Sequence, residues 1–121
     1  MKIVSWNVNG IRSVLGKGFL NWLSETNPDI VCLQETKICE RDLDEHVPAF
    51  PGYASYWYAA ERSGYSGVAV LSKYEPLSVT RGIGQLAYDR EGRIITVEYE
   101  NLFVVNVYAP NTQMEYVRLP F

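Results

Sequence analysis

DIVCLQETK, residues 29–37, joins an apolar run to a charged end, and the fold follows from where that change falls. Ile30, Val31, Cys32 and Leu33 are four apolar residues after Pro28, too few for a helix and without alternation. Such a run reads as a strand buried on both faces. It ends in Gln34, Glu35 and Lys37, so a carboxylate stands on a rigid element at the rim of a sheet, where metal ligands and acid/base groups are presented. Read alone, Glu35 is more readily the first solvated residue after a core strand.

Working outward, Lys2 to Val8 alternates Ile3, Ser5, Asn7 against Val4, Trp6, Val8, the period of a strand, and Asn9-Gly10 turns it. Phe19, Trp22, Leu23 and Thr26 fall at helical spacing, and Asn27-Pro28 stops the helix. Strand, helix and buried strand in succession predict a βαβ-like opening whose strand ends meet at one rim. Cys39 to Phe50 predicts a short irregular helix, and further strands are expected over Tyr53–Ala60, Val68–Ser72, Pro76–Gly84, Ile94–Tyr99 and Leu102–Tyr108, the last two joined by Glu100-Asn101. The expected class is α/β, with a strand-rich mixed sheet and one or two helices. Strands Ile30–Leu33 and Leu102–Val107 are apolar on both faces and need cover on both sides. One good helix and one poor one do not provide it, so a covering layer is expected from a second segment or a partner.

With 121 residues, 47% of them hydrophobic, the chain is long enough for one globular unit with a real core. Its apolar runs are too short to span a membrane, and Met1-Lys2 leads into a strand without an apolar signal segment, so a soluble, cytoplasmic protein with no membrane partner is expected. Cys32 and Cys39 lack metal-site spacing and read as free thiols. The one histidine, His46, lies in a polar stretch and reads as surface. A net charge of −3 is not the basic footprint of a nucleic-acid binder, which leaves charge clustered on one face as the route to DNA.

Five segments carry a resemblance: WNVNGIR (6–12), LQETK (33–37), GYSGVAVLS (64–72), EGRIITVEY (91–99) and VNVYAPN (105–111). In order and spacing they resemble the exodeoxyribonuclease III family of apurinic/apyrimidinic endonucleases. Members are about twice this length and form a four-layered, DNase I-like α/β sandwich from two similar halves. The resemblance therefore implies that residues 1–121 are the N-terminal half of such a phosphoesterase domain, with the C-terminal half absent, and it accounts for the expected missing layer.

The implied reaction is Mg²⁺-dependent (or Mn²⁺-dependent) hydrolysis of the phosphodiester 5′ to an abasic site in double-stranded DNA, with 3′–5′ exonuclease and 3′-phosphatase action. A phosphodiester is anionic, so its hydrolysis needs a cation, an activated water and donors for the charge of the transition state. The resemblance implies Glu35 as metal ligand and Asn7 as a group that orders the metal site. It likewise assigns Tyr108 and Asn111 to the scissile phosphate, and Lys37 to phosphate or to a carboxylate. DNA-backbone contacts carry over to Arg12 and Ser13, to Gly64 and Tyr65, and to Arg93, suited by arginine forks and backbone amides. From the residues alone, Asn7 is also turn chemistry, Tyr108 a core tyrosine with a satisfied hydroxyl, Lys37 a surface charge and Arg93 a structural ion pair. Asn9 stands where some relatives have Asp, which makes that position a hydrogen-bond partner rather than a metal ligand.

The family's water-activating groups have no match in these residues, so the chain alone is expected to be inactive or nearly so, completed by its C-terminal half or by a second copy. Two alternatives remain: a non-catalytic half-domain or self-complementing dimer, and a lipid or inositol phosphate phosphodiesterase of the same superfamily. The Asn-Gly-Ile-Arg and Gln-Glu-Thr-Lys wording favours DNA over the second.

Overall fold

A computed structural model describes residues 1–62, 64–85 and 89–109. Strand β1 (Ile3–Asn7) pairs in parallel with β2 (Ile30–Gln34). Between them run α1 (Ile11–Leu15) and α2 (Phe19–Thr26), which closes on Asn27 in the left-handed conformation. This is the expected βαβ opening. Helix α1 has no counterpart in the elements read from the sequence: one and a half turns, with only Ile11 and Val14 buried, are too short to show a period. The polar stretch from Cys39 holds a 3₁₀ turn (Glu40–Asp42) and a single-turn helix, α3 (Leu43–His46).

Strands β3 (Ala54–Tyr58) and β4 (Val68–Ser72) complete a mixed sheet in the order β1-β2-β4-β3, with β4 antiparallel to both neighbours. A second, antiparallel sheet has the order β5 (Ser78–Arg81), β6 (Ile94–Glu98), β7 (Phe103–Val107). The alternation of β2 and β4 sends their residues into two cores. Val31, Leu33, Ala69 and Leu71 meet the helices with Ile11, Phe19 and Leu23, where the Trp6 and Phe19 rings stack near-parallel and Trp22 and Phe50 meet them edge to face or tilted. Ile30, Cys32, Val68 and Val70 meet Ile95, Val97 and Val104 of the second sheet. The layers are thus helices, sheet, sheet.

Cover is missing on one of the two strands whose apolar pattern demands it. Strand β2 is buried on both faces, as its composition requires. On β7 the inward Val104 and Asn106 are buried, while Phe103, Val105 and Val107 are 66%, 56% and 50% exposed. Ile3 on β1, at the edge of the first sheet, is also exposed.

Candidate active site

Parallel pairing sets Asn7 opposite Gln34, so β1 and β2 end together and their next residues share one rim. Strand β4 runs antiparallel to β2, so the Gly64–Gly67 loop enters at that rim too. In the second sheet Ile94 pairs with Val107, which brings Arg93 and Tyr108 side by side, and the Tyr108 amide donates to the Arg93 carbonyl at 2.8 Å.

The rim is laced by backbone bonds. The amides of Gly10 and Ile11 donate to the carbonyls of Glu35 and Thr36 at 2.7 and 2.9 Å, and the amides of Thr36 and Lys37 donate to Gly67 and Ser66 at 3.1 and 2.9 Å. Residues 35–37 are therefore fixed from both sides. Gly67 is at φ +90°, and a Cβ there would stand 2.4 Å from Thr36 Oγ1, so the close approach of the two loops requires glycine.

On this frame Asn7 Nδ2 donates to Glu35 Oε1 at 2.8 Å, and the Asn9 amide donates to Asn7 Oδ1 at 3.1 Å. Lys37 Nζ donates to Asn9 Oδ1 and lies 3.6 Å from Glu35 Oε2. The Tyr108 hydroxyl faces Glu35. Burial, then the Glu35 charge, push its pKa above the usual tyrosine value, and the Arg93 guanidinium pulls the other way. Glu35, Asn7, Asn9, Lys37 and Tyr108 form one constellation. Asn111 lies outside the described residues.

Arg12 and Ser13 are exposed on α1, and Gly64 is exposed in its loop. Tyr65 is half-buried, its ring beneath the exposed Arg62 guanidinium at 5.3 Å. Arg93 is placed differently: it is 6% exposed, donates from Nη2 to the Tyr65 hydroxyl at 2.8 Å, and lies 3.9 Å from Glu91 Oε1. His46 is exposed beside Glu45.

Two polar residues that motif reading leaves unassigned support the rim from below. Asn106 is 2% exposed and reaches from β7 into the first sheet, where Nδ2 donates to the Leu33 and Ala69 carbonyls at 2.9 and 2.8 Å. Its Oδ1 accepts from Gln34 Nε2 at 2.8 Å, which also donates to Ser5 Oγ at 2.9 Å. The one signal for this in the sequence is a lone Asn among Phe103 to Val107.

For a metal, the donor set is the deciding observation. Among the described residues no three His, Cys, Asp or Glu side chains cluster as metal ligands. Glu35 supplies one carboxylate, with Asn7 bonded to it. That set suits a hard cation that keeps most of its waters, and does not suit one that needs a soft or many-ligand shell.

The family model described as "Endonuclease/Exonuclease/phosphatase family" matches residues 4–120. Along its whole length the chain is 48% identical to a protein of Danio rerio named DNA repair nuclease APEX1 and 49% identical to one of Bacillus subtilis named exodeoxyribonuclease. It covers 40% and 47% of them, so it spans about half the length of these relatives. Among solved structures, the catalytic domain of Xenopus laevis APE2 superposes with a TM-score of 0.78 at 35% identity, over 92% of this chain and 46% of that one. An AP endonuclease from Archaeoglobus fulgidus gives 0.72 at 36%, over 91% and 41%. A 3′ phosphatase from Neisseria, bound to product DNA hairpin, gives 0.73 at 33%, over 89% and 41%. The resemblance carried by the five motifs is thus matched by relatives of those names, and the fold is of the same mixed α/β kind. The chain belongs to the endonuclease/exonuclease/phosphatase family.

Proposed function

We propose that this chain carries the N-terminal half of a DNA repair nuclease that cleaves the phosphodiester 5′ to an abasic site, with 3′–5′ exonuclease and 3′-phosphatase action at the same centre. The observation that carries the reading is the bond from Asn7 to Glu35 with the Tyr108 hydroxyl facing the same carboxylate, near the exposed Arg12 and Ser13 of α1 and the loop of Gly64 and Tyr65. The names and titles of its relatives, repair nucleases and a phosphatase bound to a DNA hairpin, point the same way.

In this reading Glu35 holds Mg²⁺, or Mn²⁺ in its place, and Asn7 orients the carboxylate through its amide. The cation, when bound, neutralises charge on the phosphate oxygens and polarises them. Tyr108 and Asn111 donate to the scissile phosphate, and Lys37, held by Asn9 beside Glu35, adds a positive charge on the same side. Arg12, Ser13 and the Gly64-Tyr65 loop hold the DNA backbone without reading sequence. The site is half of one. The exposed apolar face of β7 and the exposed Ile3 support docking of the other half there, and on this reading the chain alone is inactive.

The test is a labelled duplex with one abasic-site analogue, incubated with the chain alone and with the chain mixed with the complementary half. Incision 5′ to the lesion is expected only in the mixture, is lost with EDTA, and is lost with Glu35→Ala. Incision by the chain alone, with an oligomeric mass of two, instead makes a second copy the missing half. Absence of incision in every combination overturns the nuclease reading.

A further inference from the structure

The Glu91-Gly92-Arg93 turn is pinned against the first sheet. Gly92 has φ +58°, and a Cβ on it would lie 2.6 Å from the Ala60 nitrogen and 2.7 Å from the Tyr58 oxygen, so the turn abuts the end of β3 without slack. Arg93 leaves this turn into the interior. Its Nη2 donates to the Tyr65 hydroxyl, and its guanidinium carbon stands 5.8 Å from the Tyr65 ring centroid and 5.3 Å from that of Tyr108. One buried cation therefore touches both the tyrosine of the outward loop and the tyrosine that faces Glu35. An arginine whose task is a phosphate contact presents its fork to the groove. At 6% exposure this fork is turned inward, and its flat face suits two rings as a lysine ammonium does not.

We propose that Arg93 is a positioning residue: by bonding Tyr65 and stacking on Tyr108 it holds the DNA-facing loop and the phosphate-facing hydroxyl as one rigid unit. The inference rests on the nuclease reading for its consequence in catalysis, but its geometry stands apart from that reading. Exposed Arg62 is the built-in comparison, since it lies over the Tyr65 ring from the outward loop.

The test has two arms. Aromatic-ring NMR resonances of Tyr65 and Tyr108, assigned by Tyr→Phe variants, are recorded on the full chain. Arg93→Lys and Arg93→Met are expected to move both sets, and Arg62→Met to move Tyr65 alone. The second arm uses the chain with its complementary half on the abasic duplex. There Arg93→Lys is expected to lower kcat by about tenfold or more, with KM within about twofold and an unchanged salt slope, because a small misplacement of a reacting group is costly while phosphate binding is untouched. A phosphate contact gives the reverse: KM rises, the slope of log affinity against log salt falls by about one, and the Tyr108 resonances stay in place. That result overturns the proposal. If Arg93→Met does not fold, Tyr65→Phe decides, since removing the bonded hydroxyl is expected to move the Tyr108 resonances and unmoved resonances overturn the proposal. If the wild-type mixture does not cleave, the nuclease reading fails and the ring resonances still judge the positioning.

Discussion

Glu35 sits at φ +53° and Lys37 at φ +55°, in the left-handed region where a side chain with a Cβ costs about 1 kcal/mol or more. Asn9, at φ +48°, is a residue type that tolerates this region. Glu35 is kept there because its carbonyl accepts from the Gly10 amide while Thr36 and Lys37 are bonded to the opposite loop. Backbone held off its preferred wells in this way is concentrated at functional sites. The conformation turns the side chain after a buried strand back toward Asn7. Two variants separate carboxylate from strain. Glu35→Ala and Glu35→Gly both remove the carboxylate, and on the proposed function both are expected to abolish cleavage by the mixture with the complementary half, yet the glycine variant is expected to be the more stable by about 1 kcal/mol. Urea unfolding checks it, and equal midpoints for the two sink the strain argument.

At the level of elements, the two sheets are locked by a polar side chain. Asn106 stands at an inward position of β7, where alternation calls for an apolar residue, and it bonds carbonyls of β2 and β4. Asn106→Leu keeps the size and leaves the Leu33 and Ala69 carbonyls without that donor. A destabilisation of about 2–4 kcal/mol is expected by urea unfolding, since each buried orphan costs about 1–3 kcal/mol. A change below about 0.5 kcal/mol means that water replaces the amide. Cys32, facing the same inter-sheet core, has its thiol pushed up by burial from 9.0 to about 11. A raised folded pKa contributes stability that is full below pH 9 and is lost as pH rises through about 11, amounting to about 3 kcal/mol. Cys32→Val is expected to lack that alkaline component. Identical pH–stability curves for the two proteins would contradict it. The strands were legible because their apolar runs and turn residues are local: β4 has the span its composition marks, and α2 runs from Phe19 to Thr26 as its spacing marks. What was not legible depends on contacts distant in sequence. The burial of Arg93 rests on Tyr65, 28 residues away, and Asn106 finds Leu33 across 73 residues. Glu35 and Tyr108 were legible only because their neighbours form motifs. The bond from Asn7 to Glu35 follows from the parallel register of β1 and β2, which no local pattern states.

For the molecule as a whole, the inner core is closed and the outer face is open. The helices cover one face of the first sheet and the second sheet covers part of the other. Strand β7 is an edge of the second sheet, with β6 as its only strand partner among the described residues. It lies over β2 and β4, and β1 stands farther out, with Ile3 and Ser5 exposed. A strand added beside β7 would cover β1, and a layer outside β7 would cover Phe103, Val105 and Val107. On the proposed function one added half would meet both needs; the chain covers 47% of the Bacillus subtilis relative's length. An edge strand with an apolar outer face is also an association hazard in an isolated chain. Because the three side chains are exposed, replacing two of them, Phe103→Glu with Val105→Lys, is expected to change the stability of the chain by less than about 1 kcal/mol. If the other half docks on this face as proposed, the same pair of changes buries two charges, so cleavage by the mixture is expected to be lost. Urea unfolding of the chain and incision by the mixture, measured side by side, decide the matter. A double variant that unfolds easily on its own, with wild-type stability that rises with protein concentration, means that the face is already covered by a second copy. A double variant that complements as well as the wild type means that the other half docks elsewhere.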